Sequence, residues 1–254
     1  MGIKRFIFLI ILILLAGYVI LGREKDPDTL NVLLKPTAEP VVEGVDPVSV
    51  LLNDAAYEIY FQEIGEDLKL IPNFSEKKST EKTSSENKCT YGVNGGFYKK
   101  EGGPLGLFAV NGKIIGKEIE SATFNGYFWK KGKDMSLDWN KPEGWEGTDF
   151  ILQSGPLMDI NYLGKGSFVD EEERRRVLVA NDKNGKFFFL VLFQKENTFG
   201  GPKLVDMAEI LRKSGIADFN LALNLDGGSA SAFYGENGAK LWELVSVGSF
   251  FCGK

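Results

Sequence analysis

The 254-residue chain contains no histidine. That absence excludes a Ser-His-Asp triad, a histidine-ligated zinc site and a phosphohistidine intermediate, so proton transfer falls to carboxylates, tyrosine, lysine or a bound ion. Cysteine is scarce: Cys89 and Cys252 are too few for a zinc cluster. They leave two readings, a single disulfide in an oxidising compartment or a pair of unpaired thiols. A bridge would tie the C-terminal end to the segment leading into Asn94 and contribute about 4–5 kcal/mol in the chain-entropy picture. Basic residues are not in excess either. With 30 Lys and Arg against 35 Asp and Glu the net charge is −5, which argues against a polyanion-binding surface, so no nucleic-acid partner is expected. No useful internal repeat is visible.

What is present suits one sizeable core: 43% of residues are apolar and 12% aromatic. Phe6 to Leu21 is an uncharged run behind Lys4 and Arg5, the pattern of an export signal or a signal anchor. It is a little short of the ~20 residues of a spanning helix, yet no small-x-small cleavage site follows, which favours an uncleaved anchor. Three regions are therefore expected: a signal anchor or signal peptide at 1–21 that contacts the membrane through residues 6–21, an extended linker at 22–48, and an extracytoplasmic domain at 49–254. The linker carries Pro27, Pro36, Pro40 and Pro47.

Strand signals begin at Val50 to Leu52 and Tyr57 to Phe61. They recur at Leu105–Val110, Lys113–Ile115, Phe124–Trp129, Phe150–Gln153, Val177–Ala180 and Phe187–Phe193, mostly separated by Gly or Asn-Gly turns. Leu204 to Ser214 is the one clear helix, with Leu204, Met207, Ala208 and Leu211 on one face and Gly215 placed to cap its end. Ser75 to Lys88 lacks an apolar stripe and reads as a solvated loop or a weak surface helix. The expected class is α+β: a strand-rich, mixed, twisted sheet with few covering helices, forming a single domain behind the N-terminal membrane segment.

The most informative segment is Asn224-Leu225-Asp226-Gly227-Gly228-Ser229-Ala230-Ser231. An apolar strand runs into a carboxylate, and two glycines follow that permit positive φ and close approach of another molecule to the backbone. By itself such a turn also describes an ordinary hairpin in which Asp bonds its own backbone. Tyr91-Gly92-Val93-Asn94-Gly95-Gly96-Phe97-Tyr98 repeats the formula of a polar side chain before paired glycines, and Gln153-Ser154-Gly155-Pro156-Leu157 ends an apolar run on a polar pair and a rigid turn.

Taken in order with Pro104-Leu105-Gly106-Leu107 and with Arg176 before a strand, these segments resemble the phosphodiester glycosidase family over roughly residues 50 to 252. The resemblance implies a hydrolase acting on a sugar phosphodiester, with its essential motif at Asp226. Asp226 is the expected catalytic carboxylate. Asn94 and Gly95, Gln153 and Ser154, and Gly227, Gly228 and Ser229 are expected to bind substrate, with Arg176 as the bidentate phosphate partner that the family pattern places there. Phe97 and Tyr98 read as scaffold, and Glu171 to Arg174 as a solvated, self-compensating charge run. The chain departs from the family pattern at Val177, where Thr is usual, and at Ala180, where Gly is usual. Glycosidic cleavage ordinarily uses two carboxyl groups, and Glu101, Asp182 and Asp206 are the candidates for the second. No cofactor is expected, although a divalent cation on Asp226 stays open as an alternative. The functional expectation is an extracytoplasmic glycosidase acting on a cell-surface or envelope glycoconjugate. The competing reading is a non-catalytic glycan-binding or exopolysaccharide-assembly module of the same fold.

Overall fold

The computed structural model describes residues 46–162 and 172–254. The expected membrane segment at 6–21, most of the linker, and Glu171 lie outside the described residues. Among the described residues no helix is long and apolar enough to cross a membrane.

In chain order, β1 (Val48–Leu52), β2 (Ala55–Glu63) and β3 (Lys69–Pro72) precede helix α1 (Thr80–Asn87). Then come β4 (Tyr91–Asn94), β5 (Phe108–Val110), β6 (Lys113–Gly116), β7 (Gly126–Lys131), β8 (Asp134–Asp138), β9 (Phe150–Ser154) and β10 (Leu157–Asp159). The hairpin of β11 (Arg176–Asp182) and β12 (Phe187–Gln194) leads through a 3₁₀ turn at Leu204–Asp206 into helix α2 (Met207–Ser214) and β13 (Phe219–Asn224). A 3₁₀ turn at Gly228–Ala230 and strands β14 (Phe233–Tyr234), β15 (Lys240–Leu241) and β16 (Ser249–Gly253) complete the chain.

Among these residues the strands form three sheets, not the single mixed sheet expected from sequence. The large sheet has the order β1-β2-β12-β11-β13-β10, the second β15-β14-β4-β16-β3 and the third β6-β5-β9-β7-β8. Every pairing is antiparallel. The large sheet is covered on both faces, which explains its near-continuous apolar strands. Alternation sorts their side chains: Val177, Val179, Phe189, Val191 and Leu223 enter one core, while Leu178, Ala180, Leu190, Leu192 and Ala222 enter another. The second of these cores is closed by Met207, Ile210 and Leu211 of α2. The expected helix therefore exists, shortened at its start by the 3₁₀ turn and ended by Gly215 at φ 66°.

The other core joins all three sheets. Phe251 of the second sheet lies 5.4 Å from Phe128 and 5.5 Å from Phe150 of the third, and 5.3 Å from Phe189 of the large sheet, measured between ring centroids. Ala180, where the family's glycine was expected, is fully buried in the core under α2. Its methyl group therefore fills core space and does not crowd a ligand.

Segment 75–88 contains a genuine helix, α1, whose buried face is Thr80, Thr83 and Ser84. Its start is held by Glu243, which accepts from the Thr80 amide at 2.7 Å and from the Thr80 hydroxyl. Just beyond its end, Cys89 is bonded to Cys252 of β16, with a Cα–Cα distance of 5.3 Å. The disulfide reading is therefore the correct one of the two. Two expected strands are shorter than the sequence suggested. Leu105–Leu107 is loop, held by Leu105 N donating to Phe97 O and Leu107 N to Gln153 Oε1, and Phe124 and Asn125 precede β7 as loop.

Candidate active site

Asp226 lies where the three sheets meet. β13 of the large sheet ends at Asn224, and the chain then crosses toward β14 of the second sheet. On this crossing the Asp226 amide donates to Gly95 O at 3.2 Å, and Asn94 Nδ2 donates to Asp226 O at 2.7 Å. From the third sheet, Ser154 Oγ donates to Asn224 O at 2.7 Å and Gly155 N to the same carbonyl at 3.1 Å. Motifs up to 132 residues apart in the chain are thus hydrogen-bonded to one another.

The paired glycines divide the work. Gly228 has φ 61°, a conformation that strains any side-chain-bearing residue, whereas Gly227 is extended at φ −121°. Gly227 is needed for proximity: a methyl group there would lie 2.7 Å from Arg175 O. The turn runs against segment 174–177, with Leu225 N donating to Val177 O at 2.8 Å and Gly228 N to Arg175 O at 3.0 Å.

The Asp226 carboxyl is half-buried, and burial pushes its pKa up to about 7, opposed by the Gly227 amide and the Arg174 charge. Tyr98 stands within electrostatic reach: burial and then the Asp226 charge raise its phenol, which donates to Ser246 O at 2.5 Å. Three buried polar atoms in this neighbourhood have no protein partner among the described residues, namely Asn224 Oδ1, Ser231 Oγ and Ser249 Oγ. Ser249 Oγ faces Gly95, where a methyl group would stand 2.1 Å away. Orphaned groups of this kind mark a place shaped for water or ligand.

Several side chains expected to touch substrate make hydrogen bonds within the protein that brace the turn. Asn94 is buried, with Nδ2 shared between Gly95 O and Asp226 O and Oδ1 accepting from Ala232 N at 2.9 Å. Gln153 is also buried: its Oε1 accepts from Leu107 N and Ile119 N, and its Nε2 donates to Ile119 O and Phe124 O. Ser154 spends its hydroxyl on Asn224 O. Arg176 is 2% exposed, donating through Nε to Pro202 O at 3.0 Å and through an Nη to Glu172 O at 2.6 Å. Asn94, Gln153 and Ser154 were expected at the substrate as polar residues that end strand-like runs, and Arg176 because the family pattern places an arginine there. The structure has these strand ends brace one another. Ser229 is exposed, and its carbonyl accepts from Leu244 N at 2.7 Å and Val245 N at 3.2 Å.

Arg174, part-exposed and paired with Glu172 as the charge-run reading has it, also lies beside the Asp226 turn. A methyl group on Gly228 would lie 3.5 Å from its Cδ, its charge acts on Asp226, and its guanidinium pairs with Glu172 at 2.8 Å. Between the two, Arg175 is buried, lies 4.9 Å from the Phe199 ring, donates to Thr198 O and has a pKa lowered to about 10 by burial. Three adjacent arginines thus occupy three environments, a distinction that no local sequence signal carries.

None of the candidate second carboxylates is among the groups whose charge acts on Asp226. Asp182 is at the opposite end of β11 from Arg176, about 20 Å along the strand, and accepts from Asn184 N and Lys186 N in the hairpin turn. Glu101 is exposed in the 99–103 turn, and Asp206 precedes α2 with its pKa raised by burial. Among the described residues no three cysteine or acidic side chains gather into a metal-binding group.

The phosphodiester glycosidase family model matches residues 87–246. No curated protein sequence matches the chain. Among solved structures, the fold is similar to the catalytic domain of zebrafish N-acetylglucosamine-1-phosphodiester alpha-N-acetylglucosaminidase, a structure auto-inhibited by its pro-peptide. That match has a TM-score of 0.60 at 17% identity and covers 86% of this chain and 85% of the other. A hypothetical protein from Synechocystis matches with TM-score 0.53 at 14% identity, covering 84% and 64% of the two chains. A putative exported protein from Burkholderia pseudomallei matches with TM-score 0.52 at 10% identity, covering 78% and 74%.

Proposed function

Because this chain belongs to the phosphodiester glycosidase family and is a hydrolase of that kind, we propose that it cleaves a sugar from a phosphodiester in a cell-surface or envelope glycoconjugate, with Asp226 as its proton-transfer group. The observation that carries this reading is a carboxyl held near neutrality beside an arginine, on a glycine turn where three sheets meet. A group with a pKa of about 7 exchanges protons readily at neutral pH. The phosphate leaving group needs little protonation, and Arg174 stabilises its charge. The useful service is then at the water: the anomeric carbon–oxygen bond breaks with its electron pair on phosphate, the water oxygen takes its place, and the water's proton passes to Asp226. Arg176, Asn94, Ser154 and Gln153 hold the geometry in this scheme, and the exposed Ser229 faces the phosphate.

The uncharged run at 6–21 behind Lys4 and Arg5 supports tethering to a membrane, and the Cys89–Cys252 bridge supports an oxidising, extracytoplasmic compartment.

The test is release of free sugar from a nucleoside-diphosphate sugar such as UDP-N-acetylglucosamine. Asp226→Asn should reduce turnover by about 10²–10⁴-fold, the range of a lost acid–base group. Arg174→Ala should lower kcat/KM by at least about tenfold. The kcat/KM of the native enzyme should rise with pH and level off above about 7. Undiminished turnover by the Asn variant would remove Asp226 from the chemistry.

A further inference from the structure

Against the Ser154-Gly155-Pro156 turn, where a methyl group on Gly155 would meet Thr123 O at 1.9 Å, the loop between β6 and β7 and the loop after β8 enclose an open recess of about 560 Å³. Its walls include Phe124, Tyr127 and Trp139, with Glu118, Glu120 and Asn125 among them. Residues 117–125 form no helix or strand, yet they are firmly held. Gln153 pins Ile119 through both its amide and its carbonyl and also takes Phe124 O, while Ser121 Oγ accepts from Thr123 N and Phe124 N. Glu118 is clamped by the Tyr127 hydroxyl at 2.5 Å and by Lys141.

Three groups are left for a visitor. Trp139 is 44% exposed, Asn125 commits only its Oδ1, to Leu157 N, and Glu120 has no partner among the described residues. An apolar ring face beside an amide donor and a carboxylate acceptor matches a hexose, which has an apolar face and a rim of hydroxyls. The charge is selective too. Lys141 offsets Glu118, whereas Glu120 is uncompensated, so an anionic sugar meets repulsion. One wall of the recess also packs against a segment that braces Asp226. Phe124 meets Phe97 edge-on at 5.2 Å between centroids, and Phe97 is two residues beyond Gly95, the acceptor of the Asp226 amide.

We propose that this recess is a saccharide subsite: it takes a neutral hexose on the sugar side of the substrate, stacked on Trp139, while the phosphate points away toward Arg174. Gln153 is its positioning residue, acting through the backbone of the wall. The orientation rests on the hydrolase reading above, but sugar binding in the recess does not.

Ligand-observed NMR titration of the full-length Asp226→Asn protein with N-acetylglucosamine and with glucuronate separates the two ideas, because it needs no turnover. N-acetylglucosamine should bind at least about tenfold more tightly than glucuronate. Trp139→Ala, at an exposed position, should lose at least about tenfold in that affinity, and Glu120→Gln should narrow the gap by improving glucuronate binding. Equal binding by Trp139→Ala, tighter binding of glucuronate, or no binding of either sugar overturns the proposal. Neutral-sugar binding in a protein that fails to hydrolyse sugar phosphodiesters would uphold the subsite and sink the catalytic reading instead.

Discussion

At the scale of single residues, the elevated Asp226 carboxyl has a thermodynamic signature distinct from its chemistry. Its folded pKa of about 7 exceeds the ordinary value of 3.8 that holds in the unfolded chain, so between those values the native state binds more protons than the unfolded chain. Stability from this group is therefore greatest below the unfolded value and falls as pH rises through the folded one. For a half-buried carboxyl the cost by pH 8 is roughly 2–4 kcal/mol. Asp226→Asn removes the charge while keeping the shape. Urea unfolding of the two proteins should nearly coincide at about pH 4 and should favour the Asn variant by roughly that amount at about pH 8. A difference that does not change with pH would mean that the carboxyl is not elevated in the folded protein.

At the scale of elements, the recess wall and the Ser154-Gly155-Pro156 turn pack as one unit. A methyl group at Gly155 would stand 1.9 Å from Thr123 O and 3.0 Å from Phe124 Cα. Backbone on both sides leaves no flexible side chain to yield, so Gly155→Ala must push the wall outward. The expected result is a loss of about 1–3 kcal/mol or more, read as a lower Tm, together with weaker N-acetylglucosamine binding. Unchanged melting and binding would show that the turn and the wall move independently. This coupling is not legible in sequence, where Gln153 reads as a residue facing substrate and not as the holder of backbone groups at Leu107, Ile119 and Phe124. β11 and β12 were legible because their odd and even residues are sorted into two apolar cores. β16 was not: Gly253 is required beside Tyr91, where a methyl group would fall 1.9 Å from the ring, and a short Gly- and Cys-bearing segment reads as coil. α1 was legible only as one of two readings, a solvated loop or a weak surface helix, since the face it buries is Thr and Ser. Asp226 is singled out in the sequence by its glycines. The proximity of Arg174 to Gly228 is not legible, because it depends on how the 174–177 segment lies against the turn and not on its neighbours in the sequence.

At the scale of the whole molecule, the site is a product of closure, since Asn94, Ser154 and Asp226 come from different sheets and are joined by hydrogen bonds across their ends. The Cys89–Cys252 bond secures that closure. It spans 163 residues and encloses every side chain assigned to the site. A loop of that length corresponds to about 5 kcal/mol in the chain-entropy model, with measured losses for native bonds of roughly 2–5 kcal/mol. Set against the 5–15 kcal/mol typical of domains, its removal is severe. The Cys89→Ser/Cys252→Ser protein should therefore unfold at a markedly lower urea concentration than the oxidised native protein. Native protein kept in dithiothreitol should shift by a similar amount. Below its midpoint the double variant should retain turnover within about twofold, because the bond acts mainly on the unfolded ensemble and leaves the packed sheet ends as they are. Loss of turnover in a variant that is still folded would mean that the bridge shapes the site directly through β16 and Ser249, whose carbonyl accepts from Gly95 N at 2.8 Å. An unchanged urea midpoint would mean that the aromatic core around Phe251 holds the three sheets together without it.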